Sequence, residues 1–378
     1  MPTSVVIVGG GLIGLSAAWH LRRANPAARV TVMERTAIGA AASGSSAAGV
    51  RAMGRDPAER ALALESLARW PDLDRELEGQ TGYRRGGGIR VALDDSAWRQ
   101  VAAWVAEQRA DRVPVELADA AAIRRLAPGL TPDCRGGVHC AIDGQADAMA
   151  TVRAFAAAAR RVGARIEEGV SAVTLVVERD RVVGVGTADG RRESCDVLIA
   201  AGGVWTRTLV AGIGVTLPLA TRALQMLLTT PAPCELAPVV SAFNHKLSFK
   251  QLDGGAYLIG GGWPARVVDE SANAWALLDD SVQASLSVAR EVYPPVASCA
   301  LAQGWAGLEA FMPDDLPVIG PVPGLDGLLV AAGFSGHGFA LSPAVGDLLA
   351  RLALGHDARA DRWRGLRFDR FGATATAR

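Results

Sequence analysis

Val5-Val6-Ile7-Val8 is a short apolar run with no polar alternation. Such a run predicts a strand buried on both faces, as at the centre of a parallel sheet. Gly9-Gly10-Gly11 and Leu12-Ile13-Gly14 follow, then a helical stretch from Leu15 to Arg23 that Asn25-Pro26 stops. Arg29 to Met33 predicts a second strand, with Glu34 at its end. Asp56-Pro57-Ala58-Glu59 has the form of a capping box with proline at the first helical position. It predicts a helix to Trp70 that resumes or kinks after Pro71.

Arg90 to Leu93 predicts a strand and Trp98 to Ala110 an amphipathic helix. Ala120 to Leu126 predicts a short helix, with Asp119 as N-cap and Pro128-Gly129 as its stop. A second α/β stretch begins with a helix from Ala148 to Val162, ended by Gly163. Strands follow at 165–168, 173–177 and 182–187, with turns at Arg179-Asp180 and Asp189-Gly190. Val197 to Ala201 is another buried run, ending in Gly202-Gly203.

From Pro218 to about Gly320 the pattern changes to short β-like runs, such as Ala256 to Ile259, between glycines and prolines. One helical insert lies at about 280–292, so a mostly antiparallel second domain is expected. Leu328 to Ala332 returns as a buried strand, followed by a glycine-rich loop from Gly333 to Phe339. Ser342-Pro343 predicts the start of a last helix that Gly355 closes. The pattern contains no internal repeat.

Composition narrows the class. At roughly 100–200 residues per domain, 378 residues suggest about two or three domains. Half the residues are hydrophobic and 21% are charged, which excludes a largely disordered chain. Lys+Arg and Asp+Glu are both 39, and this balance argues against nucleic-acid binding. Cys134, Cys140, Cys195, Cys234 and Cys299 are scattered without a C-x-x-C pair. They predict free, buried thiols rather than disulfides or a metal site. The N-terminus lacks the basic start of a signal peptide, and no apolar run approaches the roughly 18 residues of a membrane helix. A soluble, cytoplasmic protein is expected.

The most specific chemistry lies at the start. Gly9, Gly11 and Gly14 form G-x-G-x-x-G between a strand and a helix. The first glycine permits the tight turn, the second lets backbone approach a pyrophosphate, and the third lets helix and strand pack closely. Free amides at the helix N-terminus face the phosphates. Glu34, twenty residues after Gly14, is placed to accept hydrogen bonds from an adenosine ribose, which disfavours NADP. NAD and FAD both remain open on the motif alone. The small-residue run from Ser43 to Gly49 suits closure over a phosphate, ribityl chain or ring, and equally suits a flexible linker.

Gly9 to Gly14, Trp305-Ala306-Gly307-Leu308 through Pro317-Val318-Ile319-Gly320, and Gly333 through Pro343 together resemble the D-amino-acid oxidase superfamily of FAD-dependent amine and amino-acid oxidoreductases. Within it the chain is most similar to the branch of glycine oxidase, sarcosine oxidase, opine oxidase and the hydrogen cyanide synthase flavin subunits. The resemblance implies an α/β fold: a Rossmann-like FAD domain from residues 1–84, 141–215 and 321–378, and a mainly antiparallel α+β substrate domain from 85–140 and 216–320. It also implies that Gly9, Gly11 and Gly14 hold the pyrophosphate and Glu34 binds the adenosine ribose, with Leu12, Ile13 and Arg35 also among the cofactor-binding residues. Ser43, Ser45, Ser46 and Gly49 are then expected along the chain toward the ring. Val173 is expected at the adenine through its backbone, and Ala201 and Gly202 at the pyrophosphate and ribityl region. Gly336, His337, Gly338, Phe339 and Ala340 are expected beside the flavin ring. Amides entering a helix N-terminus there would stabilise negative charge near N1 and C2=O. His337 could add a hydrogen bond or be a structural histidine. Gly307 stands where some members carry a flavin-tethering cysteine, so noncovalent FAD is expected.

The implied reaction removes hydride from a carbon next to nitrogen and gives an imine that water hydrolyses. The amine must be neutral, so desolvation of the ammonium matters more than a protein base, and none is assigned. Glu309 departs from the pattern, because glycine oxidase-like members carry a carboxylate-clamping arginine there. Arg51 is the best replacement clamp. Lys250 is weaker, and a plain surface charge accounts for it better. Ala340 and Leu258 stand where sarcosine oxidase-like members carry lysines, the second of which activates oxygen. The electron acceptor is therefore O2, a quinone or a partner protein. Alternatives are the flavin subunit of a hetero-oligomeric opine- or cyanide-forming dehydrogenase, or a flavin-binding protein without activity; homo-oligomers are equally open.

Overall fold

The computed structural model describes residues 3–233, 236–356 and 360–371. The elements that position the site are, in chain order, β1 (Ser4–Val8), α1 (Leu12–Ala24), β2 (Arg29–Glu34), α2 (Pro57–Arg69), β3 (Val197–Ala200), β4 (Ala220–Pro231), β5 (Pro264–Asp269), β6 (Ala274–Ala276), β7 (Leu301–Phe311), β8 (Leu325–Ala332) and α3 (Gly338–Ala353).

β1 lies inside a nine-stranded sheet, parallel to β2 on one side and β3 on the other, and β8 follows β3 in parallel. Its apolar run is buried because α1, α3 and the helix Ala148–Arg161 cover one face while a second apolar cluster fills the other. α1 and α3 approach closely at Gly346, where a Cβ would stand 2.1 Å from Ser16 Oγ. The antiparallel strands Ala172–Glu178 and Val318–Val322 extend this sheet. The chain thus returns to it between Phe311 and Val318.

The second sheet has ten strands, and all its pairings are antiparallel except Val239–Ala242 with Gly88–Ala92. β4 shows why: Ala223, Gln225, Leu227 and Thr229 alternate inward, as in a strand with one covered face. Phe249, Tyr257 and Tyr293 pack together beneath it at ring separations of 5.2–5.7 Å. Among the described residues no helix is long and apolar enough to cross a membrane.

Several local expectations shift. α1 starts at Leu12 rather than Leu15, directly after the glycines. Asp56 caps α2 through the Ala58 amide, but Glu59 does not close a capping box; it turns inward. Ser342 and Pro343 lie inside α3, which begins at Gly338. Pro343 has no N–H for the Phe339 carbonyl one turn earlier, and the Ser342 hydroxyl donates to it instead at 2.9 Å. Cys134, Cys140, Cys195 and Cys299 are buried free thiols, and Cys234 lies outside the described residues.

Candidate active site

A cavity of about 650 Å³ lies between the two sheets, within the roughly 300–1,000 Å³ typical of ligand and cofactor sites. Its walls run from the ends of β1 and β2 to β7 and the start of α3. At the first end the backbone makes the wall. Gly9 has φ +118° and lies so near β3 that a Cβ would stand 2.4 Å from the Ala201 carbonyl oxygen. A Cβ on Gly14 would stand 2.1 Å from the Gly9 carbonyl oxygen, so Gly14 shapes the turn from behind and does not line the cavity. Glu34 accepts from the Gly10 amide at 2.8 Å and from the Thr36 amide at 2.9 Å. These bonds fix its carboxylate at the cavity wall. Gly11, the N-cap of α1, has no side chain to cap it, and the Leu12 amide donates to Ser43 Oγ at 3.0 Å.

Gly9, Gly11, Leu12, Ile13, Glu34, Arg35, Ser43, Ser46, Val173, Ala201, Gly202, Glu309, Gly336, Gly338 and Phe339 share this one cavity. Ser45, Gly49, Arg51, Lys250, His337 and Ala340 do not line it. Five of these six have a visible reason. Trp305 Nε1 donates to the Ser45 carbonyl, and Ser45 packs on Gly307, where a Cβ would stand 2.7 Å from its own. Gly49 belongs to a short strand paired with Gly144–Gln145. The Ala340 carbonyl accepts from Ser66 Oγ and Trp70 Nε1, locking α3 to α2. His337 Nδ1 lies 2.9 Å from Glu59 Oε2, and burial and the positive charge of Arg55 hold its pKa below the ordinary value. Lys250 is no surface charge: it is buried, donates to the Ala146 carbonyl at 3.1 Å, and desolvation lowers it to about 7.

The charged side chains lining the cavity are Glu34, Arg35, Glu270 and Glu309. Glu309 is the one beside Gly336. The Gly336 backbone favours its charged form, but desolvation outweighs this and raises its pKa to about 7. Near the same loop lie Arg51 and Arg55, whose charges both depress His337. Desolvation lowers Arg51, opposed by Asp143, whose Oδ1 is held by the Ala52 amide at 2.8 Å. Arg90 stacks over Phe243 and Trp104 nearby, at 4.4 and 5.2 Å. Among the described residues no group of three or more His, Cys, Asp or Glu could hold a metal ion.

The sequence signals missed the loop Glu270–Asn273, Trp205, Thr206 and the segment 39–42, all of which line the cavity. Nothing in their local spacing marks them, because they are brought in by tertiary contacts.

The residues present fit FAD. The glycine turn packs so tightly on Ala201, Glu34 and Ser43 that backbone alone forms the wall, an acid stands at the end of β2, and the start of α3 opens on the cavity. Comparison with known proteins agrees. The family described as DAO, FAD dependent oxidoreductase, matches residues 4–352. Glycine oxidase of Pseudomonas putida KT2440 is 31% identical over 94% of this chain and 95% of that protein. Hydrogen cyanide synthase subunit HcnC of Pseudomonas aeruginosa is 28% identical, covering 92% of this chain and 91% of that one. Among solved structures, glycine oxidase from Geobacillus kaustophilus superposes with a TM-score of 0.83 at 25% identity, over 94% of this chain and 96% of that one. L-proline dehydrogenase from P. horikoshii reaches 0.87 at 24% identity, over 96% and 98%, and shows the fold alone. The chain belongs to the DAO family of FAD-dependent oxidoreductases.

Proposed function

We propose that this enzyme oxidises the C–N bond of a small amine or amino acid, a secondary amine or D-amino acid, to an imine. The relatives named glycine oxidase support the substrate class. The observation that carries the reading is Glu309, an ionisable side chain that lines the cavity beside Gly336. Noncovalent FAD, when bound, supplies the hydride acceptor. Glu309 stands where a substrate ammonium can be held, and its raised pKa lets it take a proton from that nitrogen near neutral pH. The nitrogen lone pair is then free. Arg51, set beside the Gly336–His337 loop, is assigned to the substrate carboxylate, since guanidinium matches carboxylate geometry. Glu59 orients His337 by its hydrogen bond and so positions the loop that carries the Gly336 amide. The cofactor roles expected for the glycine turn, Glu34, Ser43, Ser46, Val173, Ala201 and Gly202 are kept in this proposal. So is the division into an FAD domain and a substrate domain, supported by the two sheets.

Ala340 and Leu258 in place of two lysines favour a second reading of the electron route: a quinone or partner protein rather than O2. The relative named as a synthase subunit supports it. Four buried free thiols support a reducing, cytoplasmic location.

The test is anaerobic bleaching of the FAD-loaded protein by sarcosine, glycine, D-alanine, proline, hydroxyproline enantiomers and an opine. Rapid bleaching by one of them is expected, and readmitted air then separates oxidase from dehydrogenase. A loaded protein that none of these bleaches overturns the reading.

A further inference from the structure

The hairpin formed by β5 and β6 belongs to the second sheet by its pairing with β4, yet its tip reaches the first. Trp205 Nε1 donates to the Glu270 carbonyl at 2.9 Å. The Arg207 guanidinium holds the Glu270 carboxylate at 3.1 and 3.3 Å. Arg35, which follows Glu34, donates to the Ser271 carbonyl and lies 4.4 Å over the Trp205 ring. Asn273 donates Nδ2 to the Ala40 carbonyl at 3.0 Å from a left-handed backbone, φ +55°, that asparagine tolerates. Glu270 to Asn273 all line the cavity alongside Glu34 and Val173.

Two polar atoms in this wall are buried with no hydrogen-bond partner: Asn273 Oδ1 and Thr206 Oγ1. Buried polar groups in native proteins are normally satisfied, and an orphan at a cavity wall points to the ligand that satisfies it. Asn273 Oδ1 is an acceptor only, and the Thr206 hydroxyl can accept or donate. An adenosine offers N–H and O–H donors.

We propose that Glu270–Asn273 is a strap, carried by the substrate-side sheet, that closes the adenosine end of the FAD site. Asn273 Oδ1 and Thr206 Oγ1 receive hydrogen bonds from the adenosine, and the Arg35–Trp205 stack latches the strap shut. FAD then leaves only when the hairpin lifts off Arg35 and Trp205, so the strap sets the cofactor's release rate. This rests on the family's cofactor and not on the amine reading, and it stands whatever the substrate.

The experiment measures the rise in FAD fluorescence after dilution of the holoprotein, with the thermal midpoint of the apoprotein recorded beside it. Asn273→Ala is expected to speed release about three- to tenfold and Trp205→Ala about tenfold or more, the range expected for lost hydrogen bonds and a latch. Val268→Ala, exposed on the same hairpin outside the cavity, leaves release unchanged. Asn273→Ala and Trp205→Ala lower the apoprotein midpoint through the lost Ala40 bond and the lost ring packing, but by less in free energy than the change in release, and Val268→Ala leaves it at the wild-type value. Release within twofold of wild type in both Asn273→Ala and Trp205→Ala overturns the strap. So does faster release accompanied by an equal fall in apoprotein stability, which would make the hairpin a packing element only.

Discussion

The two ends of the cavity are made of different material. Around Gly9 and Glu34 the wall is backbone: a left-handed glycine against the Ala201 carbonyl, two amides on one carboxylate, and the open start of α1. Around Glu309, on β7, it is side chain and loop, with Gly336 from the turn before α3 beside it. A backbone wall demands glycine at fixed places within one turn, so residue spacing records it even where the partner strand is remote. A side-chain wall is decided by whichever neighbours the fold delivers, and spacing is silent about those.

The sharpest break of this contrast is at Gly14. Its missing Cβ is what lets α1 meet the turn, since any side chain would collide with the Gly9 carbonyl, which is backbone and cannot swing aside. Gly14→Val is expected to abolish FAD retention, read as flavin absorbance per mole of purified protein. Full flavin content in this variant would show that the backbone end does not govern binding.

Legibility follows the same division. The central strands, the helix after the glycines and Glu34 were readable because burial on both faces and the G-x-G-x-x-G turn each impose a local pattern. Ser342-Pro343 misled because a proline near a helix start reads as a first residue, and the hydroxyl that relieves its missing N–H is visible only in three dimensions. His337 was readable as a position but not as a role: its partner, Glu59, is 278 residues away and looks like half of a capping box. The strap at Glu270–Asn273 left no signal, because its partners Arg35, Ala40 and Trp205 are remote in sequence.

At the other end, Arg51→Ala tests whether a charged side chain just outside the cavity wall acts on substrate. KM for a carboxylate substrate is expected to rise about 10–100-fold, the range for a charge-assisted hydrogen bond. Arg51→Lys restores it only in part, because an ammonium cannot reproduce the bidentate geometry. Unchanged KM in Arg51→Ala removes Arg51 from the site and confines recognition to the cavity itself.

Glu309 sharpens the comparison by pH. With its carboxyl raised to about 7, kcat/KM for an amine is expected to rise as pH passes through about 7, where Glu309 becomes charged. Glu309→Gln removes that rise. Linkage gives an independent readout. The folded state holds a proton on Glu309 between about 4.5 and 7 that the unfolded state has lost, so wild-type stability falls across that range. The variant lacks this fall, and its advantage from pH 5 to 8 is on the order of 2 kcal/mol by urea denaturation. A variant with the wild-type profile in both measurements would make Glu309 a bystander.

The smallest kinetic effect belongs to Lys250, which separates a buried charge from a functional one. Its ammonium is buried and engaged by the Ala146 carbonyl, so Lys250→Met is expected to leave KM within about twofold, below the loss of even one neutral hydrogen bond. Stability should respond instead. Lys250 is lowered from 10.5 to about 7, chiefly by desolvation, with Asp147 opposing. Between those values the unfolded chain binds a proton that the folded one does not, so wild-type stability climbs as pH rises from about 7 toward 10.5. The stability margin of Lys250→Met over wild type therefore shrinks between pH 7 and pH 9, a change on the order of 2 kcal/mol. A rise in KM, with no such change in the margin, would place Lys250 with Arg51 as a substrate contact and extend the side-chain wall beyond the cavity.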